Sequence, residues 1–141
     1  MLKYDPVTDM FSWATGCMDH LSDHFAAKEF NSKDPLCKIH MVRGELVRKL
    51  EELRLELDKS VYISSAYRTK EDQERLAKSG RETAKGVSQH CLGAAADIYC
   101  SDMDALLTLA KKHFKAIGVA KTFIHVDLRE DKERLWFYTK T

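Results

Sequence analysis

The chain has 141 residues, 44% hydrophobic and 32% charged, with a formal net charge of +1. These proportions fit an ordinary folded globule and are enough for one domain, 1–141, with a genuine core. They give no reason to expect a nucleic-acid surface, and no window approaches the run of about 18 apolar residues that a membrane span needs.

Residues 1–38 hold both prolines, Pro6 and Pro35, and show no sustained period. They read as an irregular N-terminal segment packed on the main body, with one short helix around Phe25, Ala26, Ala27 and Phe30. From Ile39 to Leu57 the spacing is helical: Ile39, Val42, Leu46, Leu50, Leu53 and Leu57 recur at steps of three and four. Gly44 is a mild weakness in that helix. Val61–Ala66 reads as a strand, and Thr69 as the N-cap of a short helix that stops before Gly80. Residues 80–89 read as a mobile loop. Ala94–Cys100 is the next strand, and Ser101 is expected to cap a helix buried through Met103, Leu106, Leu107, Ala110 and Phe114. Gly118 is expected to end that element, with strands at about 122–128 and 134–138. The order predicts an α+β fold in which helices pack on a small, largely antiparallel sheet.

Four cysteines, at 17, 37, 91 and 100, include no C-x-x-C pair. Met1 to Asp9 lacks the charged head and apolar run of a secretory leader. Free thiols are therefore expected, in a protein that is cytoplasmic as synthesised.

Two segments stand out. The first is Ser88-Gln89-His90-Cys91-Leu92-Gly93-Ala94-Ala95-Ala96-Asp97, and the second is Ile124-His125-Val126-Asp127-Leu128-Arg129. They offer two imidazoles and a carboxylate from separate segments, as a catalytic zinc site with one open position requires. Gly93 permits a bend between His90 and Asp97, and the alanines keep bulk away. Alternation puts Asp97 on a face with Ala95 and Tyr99, and His125 with Asp127 and Phe123. Ile124, Val126 and Leu128 form the opposite, apolar face. His20, His24, His40 and His113 have no partner at metal-ligand spacing and read as structural.

These motifs, with Ser65-Ala66-Tyr67-Arg68 upstream and Leu21-Ser22-Asp23-His24-Phe25 before them, resemble the M15-type zinc D-Ala-D-Ala carboxypeptidases and phage endolysins. That family shares its fold with the hedgehog signalling domain, and the likeness runs from about residue 21 to 138. The resemblance implies a Zn2+ ion held by His90, Asp97 and His125, with water in the fourth position. It implies Arg68 at a substrate carboxylate or developing oxyanion, and Ser88, Gln89 and Tyr67 as substrate contacts. Many relatives place a glutamate base three residues before the last histidine, where this chain has Thr122. Asp127 is the expected general base instead, and a carboxylate orienting His125 is the competing role. Tyr99 and Trp136 are further cleft candidates.

The implied substrate is a peptidoglycan stem peptide, cut at its D-Ala-D-Ala end or at an internal L-D bond by a monomeric enzyme. Release by lysis, or as part of a phage particle, would bring the enzyme to the cell wall. Two rivals remain: a zinc-containing binding module of the same fold, and a thiol peptidase with Cys91 as nucleophile.

Overall fold

A computed structural model describes residues 1–79 and 88–139 of the chain. It is an α+β fold with three α-helices and two sheets among those residues. The first sheet joins β1 (Lys3–Asp5), β2 (Met10–Ala14) and β3 (Ile39–Arg43), all antiparallel. After it come α1 (Gly44–Leu57), β4 (Tyr62–Ser65), α2 (Lys70–Lys78), β5 (Ala95–Tyr99) and α3 (Met103–His113). The chain closes with β6 (Ala116–Val119), β7 (Ile124–Asp127) and β8 (Arg134–Phe137). The second sheet has the order β4-β5-β7-β6-β8 and is antiparallel except where β8 joins β6.

The N-terminal segment is more regular than its sequence suggests, because β1 and β2 form a hairpin there. The helix expected from Ile39 begins only at Gly44. Residues 39–43 alternate instead, with His40 and Val42 buried while Ile39 is 56% exposed, and they pair with β2. Gly44 is no weakness in mid-helix but the first helical residue. Its N–H donates to the Asp9 carbonyl at 2.7 Å, and a Cβ there would run into the Asp9 carboxylate. The short helix near Phe30 is a single 3-10 turn, Ala27–Phe30.

Thr69 does cap α2, accepting from the Asp72 N–H at 3.1 Å. The cap of α3 is Asp102 rather than Ser101, with its side chain accepting from the Ala105 N–H. Gly118 does not end α3; it lies inside β6, a strand too short and too glycine-interrupted to announce itself. The loop expected at 80–89 falls, apart from Ser88 and Gln89, outside the described residues.

One face of the second sheet, carrying Ala96, Ile98, Ile117, Ile124 and Val126, joins Leu46, Leu50 and Leu53 of α1 and Leu106 and Ala110 of α3 in a common core. Trp13, Phe25 and Phe30 enter the same cluster from the N-terminal segment. Each fully buried aliphatic chain contributes about 1.5–3 kcal/mol. With helices covering that face, the polar residues of β5 and β7 project from the other. All four cysteines are unbridged, and no helix among the described residues is long and apolar enough to cross a membrane.

Candidate functional site

Register places the polar face in a single row across the sheet. Ser65 pairs with Asp97, Asp97 with His125, His125 with Gly118, and Gly118 with Trp136. His90 reaches this row from the 3-10 turn Gln89–Leu92, which Ser88 caps by accepting from the His90 N–H at 3.2 Å. Gly93 ends the turn at φ +68°, the left-handed region where L side chains are strained. A Cβ at Gly93 would also lie 3.2 Å from the Val42 Cα, so this is both a bend and a close approach.

His90, Asp97 and His125 are buried together, with one donor atom from each lying within 4.8 Å of the others. Nε2 of His90 is 3.2 Å from Oδ1 of Asp97, and Nδ1 of His125 is 3.0 Å from the same oxygen. Four-coordinate zinc with bonds of 2.0–2.1 Å separates its ligand atoms by about 3.3 Å, which these two imidazole–carboxylate spacings match.

The outer partners fix which nitrogen carries the proton. Nδ1 of His90 is 2.6 Å from the Ala66 carbonyl, which can only accept. Nε2 of His125 is 2.8 Å from Oδ2 of Asp127, an ionised carboxylate that also can only accept. Each imidazole thus spends its N–H outward and turns its other nitrogen toward Asp97 Oδ1. Lone pairs facing a carboxylate oxygen repel unless a cation or a proton lies between them, so the donor set suits a divalent ion.

The titration behaviour agrees. Burial lowers His90 more than Asp97 raises it, which keeps it neutral. Burial also disfavours charge on His125, but bonds to Asp127 and Asp97 outweigh it and raise the group above its ordinary value. A proton on His125 would relieve its own contact with Asp97 and leave the His90 lone pair facing the same oxygen. Burial alone would raise the Asp97 carboxyl, yet the two imidazoles hold it far below the usual carboxylate range.

Arg68 closes one side of the cluster. Its Nη2 donates to Asp97 Oδ2 at 3.2 Å, its Nε to Ser65 Oγ at 3.2 Å and its Nη1 to Gln73 Oε1 at 3.2 Å. Trp136 closes the other side, its ring centroid 5.3 Å from that of His125, with Tyr138 and Phe123 beyond it. Tyr67 turns elsewhere and packs edge-on against His40 at 6.4 Å, while Tyr99 stacks on Tyr62 at 5.4 Å. Gln89 is half-buried, and its backbone carbonyl accepts from Ala94.

The residue that sequence reasoning missed is Arg129. Its backbone N–H and Nε both donate to Asp127 Oδ1 at 3.0 Å, and its Nη2 donates to Oδ2 at 2.9 Å. The signal was available, since His125, Asp127 and Arg129 follow one another at steps of two. Three of the four other histidines pair away from the cluster: His24 with Glu51, His40 with Thr15 and the Ser32 N–H, and His113 with Glu56, while His20 forms an isolated backbone bridge with Ala26. Cys91 offers no activated thiol, because burial raises it and its Sγ faces the Thr69 carbonyl.

The family model described as Peptidase M15 matches residues 22–127 of the chain. No curated protein and no solved structure matches it.

Proposed function

The chain belongs to the peptidase M15 family, and from that membership we propose that it is a zinc-dependent peptidase hydrolysing an amide bond in peptidoglycan stem peptides. The supporting observation is the convergence of two imidazole nitrogens on Asp97 Oδ1, each ring held from behind by an acceptor. His90, Asp97 and His125 would hold the ion. When bound, zinc supplies a Lewis acid that polarises a carbonyl and lowers the pKa of water to about 7.

The chain's own groups do the rest. Ala66 and Asp127 set the two imidazoles, so that no reorganisation is needed when substrate arrives. Arg68 balances the second oxygen of Asp97, and its bonds leave, among the described residues, two of a guanidinium's five N–H groups for a substrate carboxylate or oxyanion. Trp136 and Tyr138 form an apolar wall that excludes water beside His125. Ser88 acts through the turn that carries His90. Gln89, the first residue of that turn, remains a proposed substrate contact, and Tyr67, packed against His40, stands further from the cluster as a second one.

Asp127 was the expected base. A carboxylate has about four lone-pair sites, and here Arg129 takes three and His125 the fourth. Its side chain has no exposed surface, and its carboxyl is held down at about 2, against the upward push of burial, by His125 and Arg129. We therefore assign Asp127 the orientation of His125 and no proton transfer from water.

That occupancy, with Thr122 where relatives carry a glutamate, also favours a second reading: a zinc-containing binding module without turnover. Defined muropeptides incubated with the zinc-loaded protein, with and without a chelator, and read by mass spectrometry, separate the two. Chelator-sensitive cleavage supports the peptidase, and the fragment masses identify the bond. Intact peptides that nonetheless bind the zinc-loaded protein support the module.

A further inference from the structure

Four side chains close a ring of contacts beside the cluster. Nε2 of His125 meets Asp127 at 2.8 Å, and Asp127 takes the Arg129 fork at 2.9 and 3.0 Å. The Arg129 guanidinium stands 5.7 Å from the centroid of the Trp136 ring, and that ring returns to His125 at 5.3 Å. The ring of contacts is seated on Gly118. A Cβ there would lie 2.6 Å from the Trp136 Cε2 and Nε1 atoms, so the indole occupies space that only glycine leaves free.

We propose that Arg129 and Trp136 are positioning residues that hold the His125 imidazole in its ion-binding orientation. This rests on the reading of His125 as a metal ligand, and extends it to residues that touch neither ion nor substrate. The physical basis lies in the two faces of a guanidinium. Its planar edge matches a carboxylate through parallel N–H bonds, while its flat face stacks on an aromatic ring. Arg129 holds the fork while its guanidinium lies over the Trp136 ring at cation–π range, so Asp127 cannot swing without leaving its fork, and the fork cannot shift without moving against Trp136. Trp136 in turn blocks rotation of the His125 ring toward β8.

A simpler role would be charge neutralisation of buried Asp127 by Arg129. The two differ in what a lysine can do. Lysine at 129 keeps the charge but loses the fork and the flat face, and under neutralisation alone Trp136 should not matter.

The test is zinc affinity of the full chain, measured by competition with a chromophoric chelator, for wild type, Arg129→Gln, Arg129→Lys, Trp136→Leu, Trp136→Phe and Gly118→Ala. Loss of a partner behind a metal-bound histidine typically costs 10–100-fold in affinity. Arg129→Gln, Trp136→Leu and Gly118→Ala are each expected in that range, with Arg129→Lys recovering little and Trp136→Phe most. The double variant Arg129→Gln/Trp136→Leu should be no worse than the poorer single one, because both act through the same ring. In the zinc-loaded protein the His125 Nε2 proton should be visible by NMR in wild type and lost to exchange in the two single variants.

Folded variants that bind zinc as tightly as wild type, or an Arg129→Lys protein indistinguishable from wild type, overturn the proposal and leave the metal site standing. A wild-type protein that binds no zinc overturns the reading beneath it as well. Should Arg129→Gln fail to fold, Arg129→Lys and Trp136→Phe still decide the matter, since each keeps most of the packing.

Discussion

Asp127 meets Nε2 of His125 at 2.8 Å, on the side of the ring away from Asp97. This contact separates two chemical roles for one carboxylate. An orienting Asp127 replaced by Asn should lower zinc affinity about tenfold, in line with other partners behind metal-bound histidines, and leave the shape of any pH–rate profile unchanged. A proton-accepting Asp127 would give the reverse: unchanged affinity, with the acid limb of the profile lost. Equilibrium zinc competition and a pH series on the same preparation distinguish them.

Removing the ion should be visible as lost stability. A ligand present at 1,000 times its Kd adds about 4 kcal/mol to the folded state. For a chain of this size that corresponds to a fall in Tm of roughly 10 °C on chelation, reversed by added zinc. Differential scanning calorimetry with and without chelator measures it, and His125→Ala should abolish the difference.

Gly93→Ala should destabilise the fold and reduce zinc binding together. Position 93 has φ +68° and a Cβ there would lie 3.2 Å from the Val42 Cα. The left-handed conformation alone costs about 1–2 kcal/mol for a residue with a side chain. Urea denaturation should give a loss of at least that size, with the turn that presents His90 as the first part to shift.

Acid should act through Asp9 as well as through the site. The Asp9 carboxyl lies below its ordinary value, chiefly because Arg48 bonds to it, with Tyr4 and the Glu45 N–H also donating. A value lower in the folded state means the contribution is fully present above the unfolded value near 3.8 and is lost as pH falls through the folded one. Asp9→Asn should cost about 1 kcal/mol at pH 7, the worth of a helix-end acceptor, and flatten the fall in Tm below pH 4. Thermal melts between pH 2 and pH 7 test the sign.

Cys91→Ser should retain zinc binding and any peptidase activity. Its Sγ lies 3.8 Å from the Thr69 carbonyl, and burial keeps it a thiol. Loss of activity on alkylation in the presence of saturating zinc would contradict this.

What the sequence displays and what it hides divide along physical lines. The stripe Leu46, Leu50, Leu53 and Leu57 was legible because one solvated face forces a 3.6-residue period. Ile39 and Val42 extend that spacing by coincidence, and only pairing with Phe11 and Ala14 on β2 makes the segment a strand. Long-range pairing of this kind leaves no local mark, which also hid β1 and β6. His90, Asp97 and His125 were legible as residue types at a familiar spacing. Arg129 was passed over although it follows Asp127 at the same step of two, because its place rests on side-chain bonds to that neighbour rather than on any spacing to the histidines. Trp136 could be named as a cleft candidate, but its seat on Gly118 depends on a parallel register that sequence alone does not reveal.

The row Ser65–Asp97–His125–Gly118–Trp136 has a consequence for how the protein matures. Its members come from five strands that are neighbours in space in an order different from their order in the chain. During synthesis His90 and Asp97 emerge well before His125, and Trp136 emerges last. The strand that brings His125, β7, must slot between β5 and β6 before the three donor atoms can meet. On the proposed reading of the cluster as a metal site, the nascent chain until then holds two of its three donors, and a firm grip on an ion would mark the moment when the central strand has been inserted.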